Sequence, residues 1–256
     1  MKLFRSLVML LGAVSLAACE KNAVQDLTSA VPRARIRFYN FGLGAPGVNF
    51  YANAIKMTAI TSATGTEAVT GVAYGAVGSG GFYSSVDPGE VTLTGKIAAA
   101  TDKDLAISSL TTTLVDGKAY SFYQSGPYST ATKTVDAFIV EDPFSTAVDF
   151  TQARVRFVNA VSNAAPLTLY VKHTTTLAET AIGTEVAYKG AGTFIAIPGG
   201  VYDISARLTG MSTNAIARTA VSFSAGKVYT VSARGDITIT SATATNRPFL
   251  DNTANQ

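Results

Sequence analysis

The chain has 256 residues, enough for one or two domains, and 47% of them are hydrophobic, enough to bury a sizeable core. Charged residues make up only 14%, Trp is absent, and Thr, Ser, Ala, Val and Gly abound, a composition that suits short strands and tight turns and disfavours disorder. The formal charge is +3; losing Lys2 and Arg5 with the leader segment described next brings 20 basic residues against 17 acidic ones to about +1, and scattered cations at near-neutral charge argue against a nucleic-acid partner.

Residues 1–18 read as an export signal. Lys2 and Arg5 form its positive end, Leu7 to Leu16 its apolar stretch, and Leu16-Ala17-Ala18 its small-residue cleavage region. The apolar run falls short of the roughly 20 residues a spanning helix needs. Leu16-Ala17-Ala18-Cys19 resembles the lipobox of bacterial lipoproteins, and the resemblance implies cleavage before Cys19 and acylation of its thiol and then its amine. Cys19 is the single cysteine, so lipidation leaves no thiol for a disulfide, a metal or a nucleophile. In the sorting rule of Gram-negative lipoproteins an Asp after the cysteine marks inner-membrane retention; Glu20 stands here, and the expected address is the outer membrane.

Residues 19–32 are polar, lack a period and end at Pro32, as a tether from lipid to fold should. The dominant signal beyond them is a repeat. Ala34-Arg35-Ile36-Arg37-Phe38-Tyr39-Asn40 matches Ala153-Arg154-Val155-Arg156-Phe157-Val158-Asn159 at an offset of 119, which Val48 to Tyr51 against Leu167 to Tyr170 preserves. Gly117-Lys118-Ala119-Tyr120 matches Gly226-Lys227-Val228-Tyr229 at an offset of 109. Between these blocks Ala73-Tyr74 answers Ala187-Tyr188 and Val86 to Gly89 answers Ile197 to Gly200, and at the ends Pro143-Phe144 is set against Pro248-Phe249. A domain-sized period means tandem duplication, with copies expected at 33–148 and 149–256. Within each copy apolar residues alternate with polar ones: Ile36 and Phe38 face a core while Arg35 and Arg37 face water, and Val155, Phe157, Arg154 and Arg156 repeat the arrangement. With Gly and Pro turns between runs, seven or eight short strands per copy predict an all-β fold of two tandem antiparallel sandwiches, immunoglobulin-like or transthyretin-like. Short helical turns are expected between Ala52 and Thr66.

Ala153 to Ala160, the turn Ile197-Pro198-Gly199-Gly200-Val201-Tyr202 and the strand Ala225-Gly226-Lys227-Val228-Tyr229-Thr230-Val231 together resemble the domain-of-unknown-function family numbered four-three-nine-seven. The resemblance implies an exported bacterial β-sandwich module, often in tandem, and implies no activity. The first copy departs from the pattern at Asp87-Pro88-Gly89-Glu90.

Residues able to carry chemistry are few. His173, the single histidine, has neither a second His nor a free Cys to share a metal, and no Gly-x-Ser-x-Gly elbow frames a serine for it, so it reads as an exposed strand-end residue. Gly42-Leu43-Gly44-Ala45-Pro46-Gly47 fits G-x-G-x-x-G, but Pro46 and a following strand pattern predict a loop between strands where a dinucleotide site needs a helix. Asp136, Glu141, Asp142 and Asp149 form an acidic stretch at the domain junction, read as solvated carboxylates without calcium-loop spacing. Tyr120, Phe122 and Tyr123, with Phe82 and Tyr83, place aromatics on both strand faces, so an exposed patch for a protein or glycan is an alternative to ordinary half-burial. No catalytic, cofactor-binding or metal residue is assigned, and no cofactor is expected. The expectation is a non-catalytic binding, structural or adhesion module anchored through Cys19 to membrane lipid, facing the periplasm or the surface, with an envelope protein or glycan as partner. Its rivals are an envelope hydrolase with a loop-borne site and an accessory subunit of an outer-membrane assembly.

Overall fold

The computed structural model describes residues 33–58, 70–143 and 149–255. The signal segment, the tether and Cys19 lie outside the described residues, as does most of the stretch where helical turns were expected. The described part of that stretch holds a turn and a short strand. Among the described residues no helix is long and apolar enough to cross a membrane.

The first copy contributes β1 (Ala34–Leu43), β2 (Val48–Ala52), β3 (Ile55–Lys56), β4 (Ala76–Val77), β5 (Ser84–Val86), β6 (Gly89–Ile97), β7 (Ala106–Leu114), β8 (Ala119–Ser129) and β9 (Thr134–Glu141). The second contributes β10 (Gln152–Asn159), β11 (Leu167–His173), β12 (Glu179–Val186), β13 (Ile195–Pro198), β14 (Gly200–Leu208), β15 (Ile216–Phe223), β16 (Val228–Arg234) and β17 (Phe249–Ala254). Each copy is a pair of sheets. The first has β4-β1-β8-β9, with β5 also on β1, facing β3-β2-β6-β7; the second has β13-β10-β16-β17 facing β12-β11-β14-β15. Pairing is antiparallel except once per copy, where β1 runs parallel to β8 and β10 to β16.

Strand register confirms the duplication. Ala34 faces Val86 as Ala153 faces Ile197, and Val48 faces Ile97 as Leu167 faces Leu208. Asn40 hands its amide to the Val72 carbonyl at 2.8 Å and Asn159 to that of Val186 at 3.0 Å. One correspondence fails. Tyr120 pairs with Glu141 and Tyr229 with Ala254, so Asp142 matches Asn255, and Pro143 cannot correspond to Pro248. Pro143 follows β9 whereas Pro248 precedes the equivalent β17, so the Pro-Phe letters coincide at opposite ends of that strand.

Alternation fills each sandwich. Phe38, Phe50 and Phe122 pack in the first, with Phe38 stacked on Phe50 at 5.1 Å, whereas Phe157 packs among aliphatic residues in the second. Each such ring contributes on the order of 2–3 kcal/mol by leaving water. The expected solvent face of β1 and β10 is not one, however. Arg37 and Arg156 are 2% and 1% exposed. The expectation that they face water is therefore corrected: the sheet carrying Arg37 packs against the sheet carrying Arg156, so each copy covers the other's outer face.

Candidate interaction surfaces

The seam between these sheets is where chemistry-bearing side chains gather. Its apolar half comes mainly from the first copy: Tyr39, Tyr123 and Phe138, cross-strand neighbours on β1, β8 and β9, stack at 4.4 and 4.9 Å. Opposite them the second copy offers small residues, Val158 and Ala160. At positions equivalent to Tyr39, Phe41 and Tyr123 the second copy has Val158, Ala160 and Ser232, so bulk on one side meets space on the other. Two sheets about 10 Å apart accept bulky rings from one side when the other stays small. The tyrosines therefore form no exposed patch here: Tyr123 is fully buried and its hydroxyl lies 3.2 Å from that of Ser232. Phe82, 77% exposed, is the outlier.

The polar half exchanges equivalent bonds across the seam. Arg156 donates from Nη1 to the Glu141 carbonyl at 2.8 Å, and Arg37 from Nη2 to the Ala254 carbonyl at 2.9 Å; Glu141 and Ala254 are equivalent. Arg156 lies over the Phe194 ring at 4.9 Å and Arg37 over the equivalent Tyr83 ring at 4.1 Å. Beyond this the half-sites differ. Arg156 also bonds Asp142 through Nη2 and Thr230 through Nε, at 3.0 Å for the latter. Asp142 further accepts from Tyr83 at 2.6 Å and Ser121 at 2.7 Å. Arg37 has a weak bond to Tyr39 at 3.3 Å, and its Nε is buried without a partner. Burial works against its charge, but Tyr39, Tyr83 and Asp142 more than offset that and raise its pKa. Burial, reinforced by Asp142, raises Tyr83 far above the usual phenol range.

The acidic stretch is corrected accordingly. Asp142 is buried and ion-paired to Arg156 because the sister copy supplies a cation where solvent was expected. Asp136 pairs with Lys189 at 2.6 Å and Glu141 with Lys118 at 2.8 Å. Asp149 accepts from the Thr151 hydroxyl and amide, which lower its pKa. His173 is half-buried: Nδ1 accepts from the Thr175 and Thr176 amides at 3.1 and 3.2 Å, and the ring meets Tyr202 edge-on at 4.9 Å. It closes the turn after β11. The Gly42–Gly47 segment joins β1 to β2, strand to strand, and a side chain at Gly47 would collide with the Thr70 carbonyl.

Two open grooves flank this framework. One of about 500 Å³ runs along the seam beside Arg37, Phe82, Tyr83 and Asn252. Another, of about 690 Å³, opens at the edge of the second sandwich beside Arg218, Arg247 and Phe249. Among the described residues no group of three His, Cys, Asp or Glu side chains is placed to hold a metal ion. Sequence reasoning missed the seam, though a signal existed: Tyr39 and Phe41 continue the supposed solvent face of Arg35 and Arg37 with large rings.

A model of the family described as a domain of unknown function, DUF4397, matches residues 34–170 and 153–256. No curated protein matches the chain. Among solved structures, the TIE protein of Bacillus anthracis is similar at 11% identity and a TM-score of 0.25, over 79% of this chain and 34% of that one. The chain thus spans about a third of that protein's length.

Proposed function

The chain belongs to the DUF4397 family, and on that premise we propose that it is a lipid-anchored, non-catalytic binding or structural module of the cell envelope, held through Cys19 to the outer membrane. The observation that carries this reading is the seam. Asp142 and the two buried arginines, the charged groups brought together between the copies, are spent on joining them into one compact unit. His173 is likewise engaged in its own turn. A closely packed double module on a short polar tether suits display of a surface to a partner. A single acylated residue carrying more than one chain anchors stably, at about 0.8 kcal/mol per buried methylene.

The test is native co-purification from detergent-solubilised envelopes, comparing wild type with Cys19→Ser and identifying both the attached lipid and co-eluting protein or glycan. The expected result is acyl chains on Cys19 and a reproducible partner in the membrane fraction. An unlipidated protein in the soluble fraction would remove the anchor, and turnover of an envelope polymer by the purified protein would replace the non-catalytic reading.

A further inference from the structure

The mouths of the two sandwiches differ. In the first copy Leu110 stands opposite Leu93 and packs on the core. In the second, a register shift in β15, with Ala220 at φ 56°, sets Arg218 opposite Ile204, the counterpart of Leu93. The neighbouring connection changes too. β8 and β9 close as a hairpin with Ser129 paired to Thr134, whereas β16 and β17 stop pairing at Arg234 and Phe249 and residues 235–248 run as an irregular loop. The groove of about 690 Å³ lies between β15 and this loop, within the range of small-ligand sites.

Its lining carries Arg218 and Arg247 and no carboxylate, although Arg218 also acts electrostatically on Asp251, which is ion-paired to Arg234. Arg218 and Arg247 lie 5.3 and 5.5 Å from the Phe249 ring centre, hence within about 11 Å of each other. Each spends Nη1 on a carbonyl, Leu250 at 2.9 Å and Ala244 at 3.1 Å. Arg234, on the same ring, is paired with Asp251 at 2.5 Å. Among the described residues no carboxylate lies within 4 Å of Arg218 or Arg247, and neither carries a buried unpartnered nitrogen, so their other N–H groups remain open to water. Ile237, Ile239 and Pro248 give the wall apolar surface, and Thr219, Thr240 and Ser241 give it hydroxyls.

We propose that this groove binds an acidic saccharide, its carboxylates held by Arg218 and Arg247. A guanidinium fork matches a carboxylate. The isoleucines and Pro248 suit the C–H face of a sugar ring, and the hydroxyls suit its own hydroxyl groups. An acyl chain would need an enclosed apolar tunnel, and this groove is open. The assignment deepens the binding-module reading by naming a ligand class, and it rests on that reading.

The test is titration of the Cys19→Ser chain with digalacturonic acid, beside neutral digalactose, inorganic phosphate and a short Asp-rich peptide. The expected result is binding of the diuronate at least about tenfold tighter than of the other three. Arg247→Gln and Arg218→Gln should each lose roughly tenfold, while Lys103→Gln, an exposed cation in the first copy, should lose nothing. Arg247→Gln keeps the test decisive if Arg218→Gln unfolds through loss of its bond to Leu250, and thermal melting identifies that case. Equal binding of the neutral sugar, the phosphate or the peptide, an unchanged Arg247→Gln, or no binding of the diuronate overturns the proposal. Lipidation and co-purification stand apart from this measurement, so either reading can fail alone.

Discussion

Arg37 and Arg156 hold the same position in the two copies, reach equivalent carbonyls of the opposite copy and lie over equivalent rings, yet their surroundings are unequal. Arg156 has Asp142 beside it and Thr230 on Nε. Arg37 has Asn255 at the place of Asp142, and Ser121, at the place of Thr230, gives its hydroxyl to Asp142. The seam therefore encloses two guanidinium groups and one carboxylate at its polar centre. Two-fold exchange of contacts is the signature of an isologous interface. Fusing both halves in one chain frees each to diverge, so one half-site carries the ion pair while the other relies on neutral acceptors and a ring face.

The largest test of this asymmetry is a pair of alanine substitutions. Arg156→Ala strands a buried Asp142 and should cost about 3–5 kcal/mol. Arg37→Ala removes a buried cation whose own Nε was already unsatisfied, and should cost about 1–3 kcal/mol. Urea denaturation of both variants measures the gap; equal losses would mean that Asp142 serves the two arginines alike. Next in size are the buried asparagines. Asn40 accepts from Gln124 at 2.9 Å, and Gln124 in turn accepts from Ser108 at 2.9 Å, whereas the bonds of Asn159 run to the Val186 carbonyl and the Val161 amide. Asn40→Ala should cost about 2–3 kcal/mol and Asn159→Ala about 1–2 kcal/mol. If the order reverses in the same measurement, the Gln124 network contributes less than its geometry indicates.

What the sequence made legible follows from what repeats. The duplication, the strand alternation and the turn glycines are local patterns, and register confirms them from Ala34 against Val86 to Gly200 against Phe223. Arg37, Arg156 and Asp142 were misread because alternation shows that a side chain leaves one core and cannot show what it enters. The edge groove was hidden for a related reason. Leu110 and Arg218 become counterparts only after a one-residue shift in β15, and such a shift transfers side chains between faces without altering composition. His173 was read nearly correctly, as a strand-end residue, with its turn-closing role supplied by the two threonine amides that follow it.

The smallest effect at neutral pH, and the sharpest on the comparison, concerns the tyrosines. The first copy brings Tyr39, Tyr83 and Tyr123 to the seam where the second brings Val158, Phe194 and Ser232. Burial raises Tyr83 and Tyr123 above the usual phenol range, and it raises Tyr188, beside the seam, to about 12. A group whose folded pKa is raised contributes stability that is complete below its unfolded value, about 10 for Tyr, and is lost as pH rises through the folded value. The protein should therefore lose stability from about pH 10 upward, with phenolate absorbance and unfolding rising together. Tyr83→Phe, which copies Phe194, removes the bond to Asp142 and should cost about 1–2 kcal/mol at neutral pH. Because it also removes one raised phenol, its penalty should shrink as the pH climbs, and the stability curves of variant and wild type should converge. Curves that stay parallel would place the alkaline sensitivity in the other raised tyrosines, Tyr74, Tyr123, Tyr188 and Tyr202, with Tyr188→Phe as the next variant to measure.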